Sequence, residues 1–127
     1  MLIEHFAVQV AFPTQMADWY GRHLGLSITR HVGGKADTHF LCDSSGRVLL
    51  EIYNNPAIDV PDYASMHPLY LHLAFISEDV EADCKRLVEA DASVVDAMVT
   101  TPAGDRLAML RDPWGFAIQL CCRATAM

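Results

Sequence analysis

The feature that most constrains this chain is that it repeats itself. His5-Phe6-Ala7-Val8 is similar to His72-Leu73-Ala74-Phe75, 67 residues later, and Ala17-Asp18 returns as Ala82-Asp83 at an offset of 65. Asp43-Ser44-Ser45-Gly46 returns as Asp112-Pro113-Trp114-Gly115 at an offset of 69. Each copy of that turn leads into an apolar run holding one polar amino acid, Glu51 in the first and Gln119 in the second. Four correspondences in one order at nearly one offset indicate two related units, and a repeat of this kind dictates architecture.

Each copy reads as a strand, a helix and three further strands. The first strands are expected at 2–11 and 69–76. Pro13-Thr14 starts the first helix, Met16, Tyr20, His23 and Leu24 form its stripe, and Gly25 stops it. In the second copy Glu78, Asp79 and Glu81 suit a helix N-terminus, and Val80, Cys84, Leu87 and Val88 recur at helical spacing. Short strands follow at 26–31, 38–43 and 47–54, and again at 93–99, 105–111 and 115–122. The chain is therefore expected to be α+β: two βαβββ repeats within a single domain, 1–127. The first unit spans 1–55, the second 69–124, and the proline-marked stretch 56–68 links them.

Composition narrows the function classes. With 52% apolar and 20% charged residues the chain is an ordinary globule, not a disordered segment. A net charge of -7 argues against a nucleic-acid partner, whose phosphates would repel it. Met1-Leu2-Ile3-Glu4-His5 lacks the basic start of a signal peptide, and no apolar run approaches the roughly 20 residues of a membrane span. The expectation is a cytoplasmic protein with no membrane partner. Cys42, Cys84, Cys121 and Cys122 then read as reduced, buried small hydrophobes.

Strand parity shows which side chains share a face. Phe6, Val8 and Val10 oppose His5, Ala7 and Gln9; Val48, Leu50 and Ile52 oppose Glu51, Tyr53 and Asn55. His72 opposes Leu71, Leu73 and Phe75; Trp114, Phe116, Ile118 and Leu120 oppose Ala117, Gln119, Cys121 and Arg123. Each of these strands has one greasy face and one mixed face with a candidate ligand. The interval from His5 to Glu51 is 46 residues, and that from His72 to Gln119 is 47. Matched positions in two related halves converge if the halves pack about a pseudo-twofold axis. Two imidazoles, a carboxylate and an amide oxygen suit a divalent ion, with zinc, nickel, manganese and iron all open. His23, His31, His39 and His67 lack partners in this pattern and read as structural. Trp19 and Tyr20 read as packing between helix and sheet, and Asp112-Pro113-Trp114-Gly115 as a turn.

These residues carry a resemblance. Glu4-His5-Phe6-Ala7-Val8, Trp19-Tyr20-Gly21-Arg22-His23-Leu24-Gly25-Leu26, Val48-Leu49-Leu50-Glu51-Ile52-Tyr53-Asn54, Leu71-His72-Leu73-Ala74-Phe75 and Asp112-Pro113-Trp114-Gly115-Phe116-Ala117-Ile118-Gln119-Leu120 together resemble the vicinal oxygen chelate superfamily. Within it the chain is similar to glyoxalase I over essentially its whole length. The resemblance implies that each βαβββ unit curls into an open half-barrel. It implies a divalent metal held by His5, Glu51, His72 and Gln119, and a homodimer with intersubunit sites. It also implies proton transfer by a carboxylate beside the metal, for which Glu51 is the candidate, during isomerisation of a hemithioacetal through a metal-bound enediolate.

Two positions depart from the glyoxalase pattern. Gln119 stands where bacterial glyoxalase I usually has a glutamate, and an amide cannot take a proton at neutral pH. Gln9 stands where an arginine often holds a glutathione carboxylate, whereas Asn55 matches a glutathione-contacting asparagine. Gln9, Tyr53, Asn55 and Arg123 are the expected substrate contacts. Three functions follow: a metal-dependent lyase or isomerase, a ring-cleaving iron dioxygenase, and a drug-binding protein of the bleomycin-resistance type.

Overall fold

A computed structural model describes residues 1–126, with side chains characterised at all of them except Val48 and Leu49. The chain divides into two compact units, Met1–Pro61 and Asp62–Met127. In the first, β1 (Phe6–Gln9), α1 (Pro13–Leu24), β2 (Ser27–Val32), β3 (Thr38–Cys42) and β4 (Val48–Tyr53) follow in order. In the second, β5 (Leu73–Ile76), α2 (Val80–Glu89), β6 (Ser93–Thr100), β7 (Arg106–Arg111) and β8 (Ala117–Cys122) repeat the pattern. Both four-stranded sheets are mixed and open, ordered β1-β4-β3-β2 and β5-β8-β7-β6. The first strand of each unit runs parallel to its last, and the remaining pairings are antiparallel. This is the twofold βαβββ arrangement that the repeat implied.

Parity explains the cores. Val8, Val10, Leu50 and Ile52 are buried on one face of the first sheet, with Met16, Ala17 and Tyr20 of α1. Whether Val48 joins that face lies outside the described side chains. In the second unit Leu110, Phe116, Ile118 and Leu120 are buried with Val80 and Leu87 of α2. Each fully buried aliphatic or aromatic side chain contributes about 1.5–3 kcal/mol. The α2 stripe is narrower than its spacing suggested, since Cys84 is half-buried and Val88 exposed. Cys42 and Cys121 are buried thiols, Cys84 and Cys122 half-buried ones, and all four are free.

The helix ends differ in how they are satisfied. Gly25 closes α1 in the left-handed conformation (φ 73°), its N–H bonding Tyr20 O, as expected of a C-terminal glycine. The start of α1 has no local cap: Asp37, 23 residues away, accepts from the Thr14 N–H at 3.2 Å and the Thr14 hydroxyl at 2.7 Å. In α2 the cap is local, Asp79 accepting from the Ala82 N–H at 3.1 Å.

The first strand of each unit is shorter than the apolar run suggested. Leu2 and Ile3 are exposed and lie outside any strand, and Tyr70 N–H bonds His67 O in a turn before β5. His5 and His72 therefore each stand one residue ahead of a strand. In the 56–68 segment, the part from Asp62 onward packs on the second unit. Arg111 donates to Tyr63 O, Met66 O and Gly115 O, each at 2.7 Å. The tight turn at Gly115 (φ 88°) lies against Ala64.

Candidate metal centre

The register places the candidate ligands equivalently in the two units. Ala7 pairs with Glu51 across β1 and β4, and Ala74 pairs with Gln119 across β5 and β8. His5 precedes Ala7 by two residues and His72 precedes Ala74 by two. By parity each histidine shares a sheet face with its alanine, diagonal to the ligand candidate on the last strand.

In the first unit His5 Nε2 lies 2.9 Å from Glu51 Oε2. His5 Nδ1 contacts the Glu4 carboxylate, and the imidazole stands edge-on to Phe40 at 5.6 Å. In the second unit His72 Nδ1 donates to Pro68 O at 3.0 Å. That bond puts the lone pair on Nε2, the arrangement usual for a ligating imidazole. Gln119 Oε1 accepts from Cys121 Sγ at 3.2 Å and keeps a second lone pair. Burial pushes the Cys121 thiol pKa up, which keeps it a protonated donor. Each unit thus offers one imidazole and one side-chain oxygen, donor types that first-row divalent ions accept.

The expected substrate contacts are placed unequally. Tyr53 follows Glu51 by two on β4 and is half-buried on that face. Gln9 is buried: its amide donates to Asn55 O at 2.9 Å and Ile58 O at 3.2 Å and accepts from Asn55 N–H at 2.8 Å. It ties down the chain after β4. Asn55 Oδ1 accepts from Ala57 N–H in the same loop. Arg123 is paired with Asp105 at 2.8 Å, and the Ala124 N–H foremost, then Arg123, holds the Asp105 carboxyl below the usual range. A mainly apolar cavity of about 370 Å³ opens beside the ends of β5 and β8, lined by residues of both parities that include Phe75, Ile76, Cys121, Cys122 and Arg123 but not Gln119. That volume suits a small organic ligand.

The reading of four histidines as partnerless needs correction. His23 packs against Trp19 at 5.1 Å, and His67 Nδ1 accepts from Leu69 N–H. His31 and His39 face each other across β2 and β3, their rings stacked at 4.1 Å, and His31 Nε2 bonds Asp37 Oδ1 at 2.8 Å. A hairpin centred on Lys35 pairs residues 31 and 39, so the Gly33-Gly34 turn signal was the clue to this cluster.

Comparison with known proteins agrees with this architecture. The sequence model of the Glyoxalase/Bleomycin resistance protein/Dioxygenase superfamily matches residues 2–120, and the chain belongs to that superfamily. No curated protein matches it significantly. Among solved structures, an antibiotic-binding protein from Streptomyces sp. CB03234 is 26% identical (TM-score 0.69), covering 94% of this chain and 93% of that one. A glyoxalase/bleomycin resistance protein from the same organism is 27% identical (TM-score 0.63), covering 91% and 96%. A glyoxalase I mutant from Zea mays shares the fold at 19% identity (TM-score 0.74), covering 97% of this chain and 46% of its own. Among the described residues no helix is long and apolar enough to cross a membrane.

Proposed function

We propose that the protein is a metal-dependent lyase or isomerase of the glyoxalase type, acting on a small substrate that presents two adjacent oxygens. The observation that carries this reading is the register: His5 with Glu51 and His72 with Gln119 occupy the same places in two related sheets. These four residues would hold zinc, nickel, manganese or iron, and the bound ion would polarise the substrate oxygens as a Lewis acid. Glu51 is the only carboxylate of the four, so it is the group that takes and returns the proton. His5 Nε2 lies 2.9 Å from Glu51 Oε2, a separation that suits two neighbouring ligands of one ion. Gln119 can ligate but not accept a proton, and the apolar cavity by Ile76 takes the rest of the substrate.

The working form would be a cytoplasmic homodimer that shares its sites between subunits. Exposed apolar side chains on the edge strands, Phe6 on β1 and Ile76 on β5, support a partner, and four free thiols suit a reducing compartment. Light scattering should give twice the 14.1 kDa chain mass, and a concentration-independent monomer would remove the shared sites. The function is tested by loading stripped protein with each first-row metal and screening hemithioacetals and related chelating substrates for turnover. A second reading, antibiotic binding without chemistry, is favoured by the 26% identical Streptomyces protein. Ligand binding that survives chelation of all metal, with no turnover in any metal form, selects it over the enzyme.

A further inference from the structure

The first sheet carries a second group of metal-ligating side chains. One ring nitrogen each of His31 and His39 and a carboxylate oxygen of Asp37 all lie within 4.8 Å of one another. The sheet register separates this group from Glu51. His31 pairs with His39, and His39 pairs with Ile52, which is fully buried and of opposite parity to Glu51. Phe40, the next residue, pairs with Glu51 and meets the His5 ring. The two histidine groups thus occupy opposite faces of one sheet.

Its surroundings are those of a prepared ligand set. His39 is only 4% exposed, yet among the described residues its ring makes one hydrogen bond, from Nδ1 to Asp37 O at 2.9 Å. That bond fixes the tautomer and leaves the lone pair on Nε2, as a carbonyl partner does for ligating imidazoles. Asp37 sits in the left-handed region (φ 45°), held there while its second carboxylate oxygen binds both the N–H and the hydroxyl of Thr14. With that oxygen on Thr14, the other oxygen of the carboxylate is turned to His31 Nε2, 2.8 Å away. His31 is exposed and can turn about its side-chain bonds. Ligand atoms around tetrahedral zinc stand about 3.3 Å apart, given metal–ligand bonds of about 2.0–2.1 Å. Of the three side chains, exposed His31 is the one with room to adjust toward that spacing, since His39 is buried and Asp37 is tied to Thr14.

We propose that His31, Asp37 and His39 form a second divalent-cation site, suited to zinc with water as fourth ligand, which staples the β2–β3 hairpin to the start of α1. Two histidines and one carboxylate are a donor set that borderline first-row ions favour. For His31 Nε2 to ligate, the proton it shares with Asp37 Oδ1 in the absence of metal would pass to Nδ1, a tautomer change with no net proton release and no change of oxidation state.

The test counts zinc by equilibrium dialysis on untagged, chelator-stripped full-length chain. The His5→Ala/His72→Ala protein should still bind about one zinc per chain and gain thermal stability from it. Adding His31→Ala should abolish that uptake or weaken it at least tenfold. Asp37→Asn, which keeps a residue tolerant of positive φ and removes the charge, should do the same with an unchanged circular dichroism spectrum. In the otherwise unmodified chain His31→Ala should remove one zinc whether or not the His5 group binds metal, which separates this inference from the functional reading. No zinc on the His5→Ala/His72→Ala protein while it remains folded, or unaltered uptake after His31→Ala, overturns it.

Discussion

Replacing Gly115 by alanine should be among the most damaging single-methyl changes in the molecule, and its cost can be worked from geometry. Gly115 has φ 88°, and a Cβ built there would stand 2.7 Å from Ala64 Cβ and 3.0 Å from Ala64 Cα and N. A side chain in the left-handed region costs about 1–2 kcal/mol. Overpacking against backbone that cannot yield adds about 1–3 kcal/mol. Ala64 cannot retreat easily, because Arg111 clamps the carbonyls of Tyr63 and Met66 on either side of it. The expected loss is about 2–5 kcal/mol. Gly46 supplies the control: its φ is 77°, and nothing lies within 4 Å of its hypothetical Cβ. Gly46→Ala should therefore cost only the conformational part, about 1–2 kcal/mol. Urea unfolding of both variants, compared at equal m-value, reads the difference directly. Equal losses would refute the packing of the 62–66 segment onto the turn that leads into β8.

Glu51→Gln should eliminate turnover even when metal is forced in by excess, whereas Gln119→Glu should tighten metal binding and add a second base. Near-parental turnover in metal-loaded Glu51→Gln would show that Glu51 is not the base. The glutathione hemithioacetal should be a poor substrate, because Gln9 is neutral and engaged with the loop after β4. Losing a charge-assisted hydrogen bond costs about 1.5–3 kcal/mol, roughly ten- to a hundredfold in affinity, and efficient lactoylglutathione formation would contradict this. Stability should also fall in acid. The Asp37 carboxyl, held below its ordinary 3.8 foremost by the Thr14 hydroxyl, stabilises the fold fully above that unfolded value. Its contribution is lost as pH drops through the lower folded value. Urea midpoints measured down to about pH 3 should show a shallower acid loss for Asp37→Asn than for the parent.

The parts of the fold legible in the sequence are those set by local pattern. Alternation along β4 and β8 separates Leu50 and Ile52 from Glu51, and Ile118 and Leu120 from Gln119, because a strand admits only two faces. Gly25 marks the end of α1 because few other residues take its positive φ. What stayed hidden depends on distant partners. The cap of α1 comes from Asp37, across the β2–β3 hairpin, and no local motif announces it. Gln9 is chemically fit to touch substrate, yet its partners are backbone groups 46 and 49 residues away. His31 and His39 are eight apart, a spacing that means nothing until the hairpin register makes them neighbours. The first strands looked longer than they are because apolar Leu2, Ile3, Leu69 and Tyr70 carry β-like composition without ladder partners.

The central claim, that His5, Glu51, His72 and Gln119 together hold one catalytic ion, is tested most directly by metal stoichiometry in a His31→Ala background that silences the hairpin group. Stripped protein dialysed against zinc or nickel should take up about one ion per chain. His5→Ala and His72→Ala should each abolish that uptake, although the two residues belong to different units of the fold. Undiminished uptake in both variants would contradict the account, and loss in only one would show that the two halves do not share an ion.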